Sequence, residues 1–307
     1  MSSASISSPA VSVRVPATTA NCGPGFDSIG LALALHNHIT LQIAESDGLS
    51  VAGEGEIELL QRPQTIAHQA AHRVFAALSM EVAGVHLTLE NQIPLSRGLG
   101  SSSAAIVGGL VAANQWAQKY GHRALSTQNL LDLATEIEGH PDNVAPALLG
   151  GFVVSARAEN GDVTAIRVPI ARFPRFAAWI PDAELSTQAA RGVLPDSYSR
   201  ADAVFNLSRS ALLVGALVAG DFEALREALR DKIHQDFRAP LVPGFAEISR
   251  AATENGAFGV TLSGSGPSIL AWLPDGSEAV AAMEAAARNA GVWGRVLELG
   301  VEENGGI

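Results

Sequence analysis

The chain has 307 residues, of which 47% are hydrophobic and 17% are charged, and its formal net charge is −11. That length exceeds one average core and favours two domains, while the small charged fraction argues against extensive disorder. An acidic chain lacks the basic face that nucleic acid needs, and the single cysteine, Cys22, excludes an internal disulfide.

The sequence predicts neither a signal peptide nor a membrane span. Residues 1–10 are rich in Ser and Ala and precede the first basic residue, Arg14, so we expect a frayed start. The longest uncharged run, 98–118, contains serines, Asn114 and two glutamines, which favours a buried helix. We therefore expect a cytoplasmic protein without membrane or nucleic-acid partners.

The first half of the chain predicts an α+β domain, residues 1–165. Alternation of apolar and polar residues indicates strands, and apolar residues at helical spacing indicate helices. The predicted elements are a strand at 11–15, a loop at 17–28, strands at 29–44 and 49–52, a helix at 65–80, a strand at 85–89, helices at 104–117 and 127–138, and a hairpin of 151–156 with 163–168.

The second half, residues 166–307, predicts a ferredoxin-like domain. Its elements are a strand at 176–180, helices at 199–218, 221–234 and 244–255, strands at 257–262 and 268–273, a helix at 277–289 and a strand at 292–299. This order of strand, helices, two strands, helix and strand is typical of the split βαβ arrangement. We expect the cleft between the two domains to hold the functional site.

A segment of glycines followed by serines, 94–105, carries the strongest functional signal. It opens a small-residue helix, whose free N–H groups and positive dipole end attract anions such as a polyphosphate. A Walker loop is excluded because no lysine precedes the serines. A tight turn with a serine cap is the alternative. The candidate phosphate-binding residues are Pro94, Leu95, Ser96, Arg97, Gly98, Leu99, Gly100, Ser101, Ser102, Ser103 and Ala104.

Two polar loops of the first half offer further candidates. Asn21 and Asp27 lie in a bend rich in glycine and proline and offer groups for a hydroxyl and an ammonium; an Asx turn is the alternative. Glu136 and Glu138 end a predicted helix, and one of them, with Ser102, is a candidate ligand pair for Mg²⁺. A solvated helix end is the alternative.

Three loops of the second half complete the candidates. Arg191 and Arg238 lie in loop or helix-end contexts, and two converging arginines indicate carboxylate capture, whereas exposed structural arginines are the alternative. Gly264, Ser265 and Gly266 form a glycine-rich connection between two strands. This connection either brings amides to the phosphates or is only a hairpin.

These segments together resemble the motifs of the GHMP kinase family. The family pattern of Pro, three variable residues and Gly-Leu-Gly-Ser-Ser is met at 94–102, and the C-terminal glycine loop is met at 263–267. Segments 16–35, 139–146 and 186–191 resemble the members that phosphorylate homoserine. The resemblance implies the two-domain fold of the family, ATP-dependent transfer of the γ-phosphoryl group to the side-chain hydroxyl of L-homoserine in threonine biosynthesis, Mg²⁺, and a homodimer.

By motif position, the resemblance also implies roles for individual residues. Ser102 and Glu138, with Glu136 as the alternative, would hold Mg²⁺, and Arg191 and Arg238 would bind the substrate carboxylate. The remaining pocket residues would be Asn21, Asp27, Asp142 and Asn143. The acidic base found in other family members looks absent, so Asn143 is expected to orient the hydroxyl and Thr187 to support the transferred group.

Two alternative functions follow from the same resemblance. The first is another small-molecule kinase of the family, but a substrate without a carboxylate and an ammonium would not need Asp27, Arg191 and Arg238 together. The second is a ligand sensor without turnover, and the intact Gly-Leu-Gly-Ser-Ser loop argues against it.

Overall fold

The computed structural model describes residues 10–306. The predicted frayed start, 1–10, lies outside the described residues except for Ala10. The N-terminal part forms a six-stranded sheet covered by helices. Its elements are β1 (Val11–Ala20), β2 (Ile29–Ala44), β3 (Gly48–Gly53), α1 (Glu56–Leu60), α2 (Ile66–Ala77), β4 (Gly84–Asn91), α3 (Ser101–Lys119), α4 (Thr127–Glu138), α5 (Pro141–Leu149), β5 (Phe152–Arg157) and β6 (Val163–Val168).

The long strand β2 organises this sheet. It pairs antiparallel with β1, with β4 through residues 37–44 and with β5 through residues 29–31. Helix α3 packs on β1 and β2 with most of its residues buried. The helix approaches this closely because Gly108 lacks a side chain, since a Cβ there would lie 2.0 Å from the Ile39 side chain. This packing fixes the position of the N-terminus of α3.

Residues 300–306 return to this first sheet after the second one is complete. Ala34 N donates to Gly300 O, Glu302 N donates to Ala32 O, and Leu33 forms a β-bridge with Val301. The segment therefore pairs with β2 just beyond the residues that pair with β5.

The C-terminal part forms a four-stranded antiparallel sheet in the order β10-β7-β9-β8, which is the ferredoxin-like order that the sequence predicts. The chain passes from the first sheet to the second between Val168 and Arg175. The elements are β7 (Arg175–Pro181), α6 (Thr187–Gly192), α7 (Arg200–Ala219), α8 (Leu225–Ala228), α9 (Gln235–Arg238), α10 (Phe245–Glu254), β8 (Gly259–Leu262), β9 (Ile269–Leu273), α11 (Ala279–Asn289) and β10 (Gly294–Leu299).

Two sequence predictions of structure are wrong. The loop predicted at 17–28 is shorter, because β1 continues to Ala20 after a bulge between Pro16 and Ala17. The helix predicted over 221–234 ends at Ala228. The Asp231 carboxylate accepts hydrogen bonds from the following backbone amides, including that of His234, and so stabilises a turn in place of the helix.

Helix α7 presents an apolar stripe to solvent. Val204, Leu207, Ala211 and Val218 are exposed and follow one another at spacings that place them on one face. By length and composition alone, α7 is the one helix among residues 10–306 that is long and apolar enough to cross a membrane. The core helix of a soluble protein satisfies the same criterion.

Candidate active site

The segment between β4 and α3 forms a tight loop that ends at the N-terminus of α3. Gly98 and Gly100 have φ angles of 72° and 71°, in the left-handed region that favours glycine. A Cβ on Gly100 would lie 1.9 Å from Thr18 Oγ1, and one on Gly98 would lie 2.3 Å from Ser263 O. The loop backbone is therefore packed directly on β1 and on the loop at 263–267. The first amides of α3 have no partners within the helix, an arrangement that favours the binding of an anion.

The glycine loop of the C-terminal part joins this surface. Ser263 Oγ lies 2.7 Å from Gly98 O and 2.9 Å from Thr19 Oγ1, and Ser268 N donates to Arg97 O. The side chain of Arg97 points to the C-terminal part, where Nε donates to Pro181 O at 2.9 Å. Among the predicted phosphate-loop residues, Arg97 thus contributes its charged group to the contact between the two parts.

A cavity of about 280 Å³ lies between these loops and brings together the predicted site residues from both halves of the chain. Its lining includes all seven predicted catalytic and substrate residues, the predicted metal pair and parts of both glycine loops. Pro94, Leu99, Ser103, Ala104 and Gly266 are not in its lining, and Leu95 lines a second cavity instead. The seven residues are Asn21, Asp27, Asp142, Asn143, Thr187, Arg191 and Arg238, and the predicted metal pair is Ser102 and Glu138.

Glu138 faces the start of α3. Its two carboxylate oxygens accept hydrogen bonds from Ser102 Oγ and Ser103 Oγ, each at 2.9 Å. The alternative residue, Glu136, points away and pairs with Arg73 at 2.6 Å. Among the described residues, no Arg, Lys or His lies within ion-pair distance of Glu138. The geometry therefore places a carboxylate without a cationic partner, and the Ser102 hydroxyl, beside the N-terminus of α3.

The start of α5 places an amide and a carboxylate on the same cavity. Thr18 Oγ1 donates to Asn143 Oδ1 at 2.8 Å, so the Asn143 amide presents its NH₂ group to the cavity. Asp142 is buried, and its Oδ1 lies 2.5 Å from His140 Nδ1. Burial opposes protonation of His140, but the neighbouring Asp142 carboxylate, followed by those of Glu138 and Asp27, raises its pKa.

Asp27 and Arg191 form a two-point ion pair across the cavity. Arg191 Nη2 and Nη1 donate to the two Asp27 carboxylate oxygens at 2.7 and 3.1 Å. Asn21 lies beneath this pair, where its Oδ1 accepts from Asp27 N and its Nδ2 donates to Gly264 O. The Asn21 side chain therefore orients Asp27, and both of its polar atoms already have protein partners.

Arg238 is a buried guanidinium without a carboxylate partner. It is 1% exposed, and none of the ion pairs among residues 10–306 includes it. Its Nε donates to Ala190 O at 3.0 Å, and its guanidinium lies 5.3 Å from the Phe26 ring centre. Burial, and then the nearby Arg191, lower its pKa. A buried cation that lines a cavity without a direct ion pair favours the binding of an anion there.

A second cavity, of about 220 Å³, adjoins the first at Ser96, Ser101 and Ser102, and the sequence did not predict it. Its walls combine apolar and polar side chains from β2, β4, the segment 58–66 and the segment 94–105. Outside the segment 94–105, no local motif marks the lining, because those residues belong to ordinary amphipathic elements. The main apolar contributors are Ile39, Leu59, Ile66, Leu89, Leu95 and Ala105.

The comparison with family models covers both parts of the chain. The model described as GHMP kinases N terminal domain matches residues 64–151, and the one described as GHMP kinases C terminal matches residues 213–292. The chain therefore belongs to the GHMP kinase family. It is an ATP-dependent kinase that acts on an alcohol.

The relatives define the group within the family. The chain is 48% identical over 263 residues to homoserine kinase from Desulfitobacterium hafniense, which covers 85% of this chain and 86% of the relative. It is 44% identical to homoserine kinase from Moorella thermoacetica, with 96% and 98% covered. The crystal structure of homoserine kinase from Cytophaga hutchinsonii superposes with a TM-score of 0.85 at 28% identity, covering 99% of this chain and 98% of that one.

Proposed function

We propose that the chain is a cytoplasmic enzyme that transfers the γ-phosphoryl group of ATP to the side-chain hydroxyl of L-homoserine, giving O-phospho-L-homoserine for threonine biosynthesis. The observation that carries this proposal is Arg238, the buried cation without a counter-ion, next to the Asp27–Arg191 pair. An α-amino acid has one carboxylate and one ammonium, and these charges match two arginines and the carboxylates of Asp27 and Asp142.

The substrate charges determine how the amino acid lies in the cavity. Its carboxylate would bind between Arg191 and Arg238, and its ammonium near Asp27. The side-chain hydroxyl then extends towards Asn143, whose NH₂ group donates to the hydroxyl oxygen. Because Asn143 Oδ1 already accepts from Thr18, Asn143 orients the hydroxyl and does not remove its proton.

The two cavities would hold different parts of ATP. The triphosphate would lie on the N-terminus of α3 and the two glycine loops, and the nucleoside in the second cavity, which offers both apolar and polar side chains. Thr187 begins α6, and its Oγ1 lies 3.5 Å from Ser265 Oγ, beside the path of the transferred group. Transfer through a loose transition state requires mainly positioning and charge neutralisation, so a strong base is not needed.

Ser102 and Glu138 would hold Mg²⁺. Their oxygen atoms are 2.9 Å apart, and Glu138 has no cationic partner among the described residues, which suits a hard cation that prefers oxygen ligands. When bound, the ion supplies neutralisation of the phosphate charge. The Ser102 and Glu138 side chains would place the end of the triphosphate directly beside the first turn of α3.

We also propose that the enzyme forms a homodimer through the apolar stripe of α7. Pairing of two copies would cover Val204, Leu207 and Val218, which are more than half exposed at 57%, 71% and 54%. Light scattering after gel filtration is expected to give twice the chain mass, and Leu207→Lys is expected to give the monomer. A monomeric wild-type protein, or one recovered with lipid vesicles, contradicts the dimer.

A substrate panel tests the proposed reaction. The purified chain is incubated with ATP, Mg²⁺ and one acceptor at a time, and both ADP release and the phosphorylated product are measured. The acceptors are L-homoserine, 3-aminopropanol, mevalonate and galactose. We expect turnover with L-homoserine at the highest kcat/KM. A higher kcat/KM with mevalonate or galactose indicates another kinase of the family, and saturable homoserine binding without ADP release indicates a sensor.

A further inference from the structure

His234 lies behind Arg238, away from the reacting atoms, and neither the motifs nor the proposed reaction gives it a role. It is fully buried and immediately precedes α9, which ends with Arg238. The Asp231 carboxylate accepts from His234 N at 2.8 Å and from Gln235 N at 2.7 Å, which fixes the turn that carries the ring. The ring also stacks on Phe26, with centres 5.4 Å apart.

The two ring nitrogens of His234 have partners of opposite polarity. Nε2 lies 2.8 Å from Gly23 O, and a carbonyl oxygen can only accept a hydrogen bond. Nδ1 lies 3.2 Å from Arg238 Nη1, and a guanidinium can only donate. The neutral tautomer with its proton on Nε2 is the one form of the ring that satisfies both contacts.

We propose that His234 is a positioning residue that fixes the guanidinium of Arg238 for the substrate carboxylate. This inference rests on the proposed function, because it assigns the carboxylate of an amino acid to Arg238. Nε of Arg238 donates to Ala190 O, and Nη1 donates to His234 Nδ1 and, at 3.4 Å, to Gly264 O. These contacts engage three of the five N–H groups and leave the two on Nη2 for the cavity.

The proposal predicts a selective defect when the Nδ1 acceptor is removed. Arg238 would lose the contact that fixes its rotation, so the substrate carboxylate would be held less well. A substrate without a carboxylate would not be affected, and ATP binds on the opposite wall. The effect is therefore expected in KM for homoserine rather than in kcat or in KM for ATP.

Two substitutions separate the roles of the two ring nitrogens. His234→Gln places an NH₂ group near the position of Nε2 and removes the acceptor at Nδ1. His234→Asn places an oxygen near the position of Nδ1 and removes the donor at Nε2. Each variant loses one buried hydrogen bond, so each is the other's control for the cost of disturbing the interior.

We expect His234→Gln to raise KM for homoserine about tenfold or more, with kcat and KM for ATP within about twofold of wild type. Its kcat/KM for 3-aminopropanol is expected to stay at the wild-type value. His234→Asn is expected to keep KM for homoserine near wild type, although both variants lower the melting temperature. Equal losses in the two variants, or equal losses on both substrates, would show that His234 only supports the fold and would overturn the proposal.

A measurement on the wild-type protein keeps the proposal testable if neither variant folds. Two-bond ¹H–¹⁵N spectra of the histidine rings report which ring nitrogen carries the proton. We expect the neutral Nε2–H form for His234 at neutral pH, and a proton on Nδ1 overturns the proposal. Failure of the proposed function looks different, because wild-type enzyme would then show no preference for homoserine over 3-aminopropanol in the first place.

Discussion

The two walls of the cavity recognise their ligands by different means. The phosphate wall consists of backbone, small side chains and the start of α3, and its shape depends on glycines packed against β1 and the 263–267 loop. The opposite wall consists of charged side chains, such as Asp27 and Arg191, that meet from positions 164 residues apart. The phosphate wall can serve many kinases, whereas the identity of the acceptor depends on the charged wall.

Among the predicted effects, the largest is the loss of homoserine recognition by the charged wall when Arg238 is removed. We expect Arg238→Leu to cost about 2–5 kcal/mol in kcat/KM for homoserine, because a desolvated carboxylate loses its partner. KM for ATP should stay near wild type. Steady-state kinetics with homoserine and 3-aminopropanol measure the effect. Arg230→Leu, at an exposed arginine that pairs with Glu227, is the matched control. If Arg238→Leu keeps the wild-type preference for homoserine, the carboxylate does not bind at Arg238.

The phosphate wall can be tested at two adjacent serines. Both hydroxyls donate to Glu138, but only Ser102 lines the cavity. Ser102→Ala should lower kcat on the order of 100-fold, because it removes a ligand near the phosphates. Ser103→Ala should lower kcat far less. The measurement is kcat at saturating substrates over a range of Mg²⁺ concentrations. Equal effects of the two substitutions would remove Ser102 from the proposed metal site.

The dependence of the phosphate wall on glycine can be measured as stability. Gly98 and Gly121 have similar φ angles, 72° and 78°, but a Cβ would meet Ser263 O at 2.3 Å at Gly98 and nothing within 4 Å at Gly121. Gly98→Ala should therefore destabilise the fold by about 1–3 kcal/mol more than Gly121→Ala, through overpacking. Urea unfolding of the two variants measures this difference. Equal destabilisation would mean that the contact with Ser263 relaxes without cost.

The smallest effect is expected from the pH dependence of His140. Burial opposes its protonation, but Asp142 and the other carboxylates raise its pKa in the folded protein. The resulting stabilisation is fully present below the unfolded-state pKa of about 6.5 and is lost as pH rises through the raised folded-state value. The free energy of unfolding of wild type relative to His140→Gln should therefore fall as pH increases above about 6.5. A difference that is constant or grows with pH contradicts this assignment.

The same contrast between the walls explains what the sequence could predict. The phosphate wall depends on neighbouring residues in one loop and helix, so its motif predicted Gly98, Gly100 and Ser102, and all three line the cavity. The strand order of the second sheet also followed from the order of its elements. The position of Asp27 against Arg191 depends on how the two halves pack, which no local pattern encodes.

Three features of the site could not be predicted from the sequence, for related physical reasons. Asn21 was predicted as a pocket residue, but its Nδ2 donates to Gly264 O, a long-range partner that lies beside it only in the folded protein. The turn before α9 depends on one carboxylate, that of Asp231, overriding a helical pattern. The second cavity is formed largely by residues of ordinary strands and helices, and outside the segment 94–105 no motif marks them.

The return of residues 300–306 to the first sheet has a consequence for how the enzyme matures. Gly306 N donates to Ala147 O, and a Cβ on Gly305 would lie 1.9 Å from Leu148 O, so this segment packs tightly on the end of α5. The other end of α5 carries Asp142 and Asn143. During synthesis, α5 is made long before residues 300–306, which pack on its end. Helix α5 also packs on β1, β2, β5, α3 and α4, so residues 300–306 add the last of several contacts that hold it, after both glycine loops have been made.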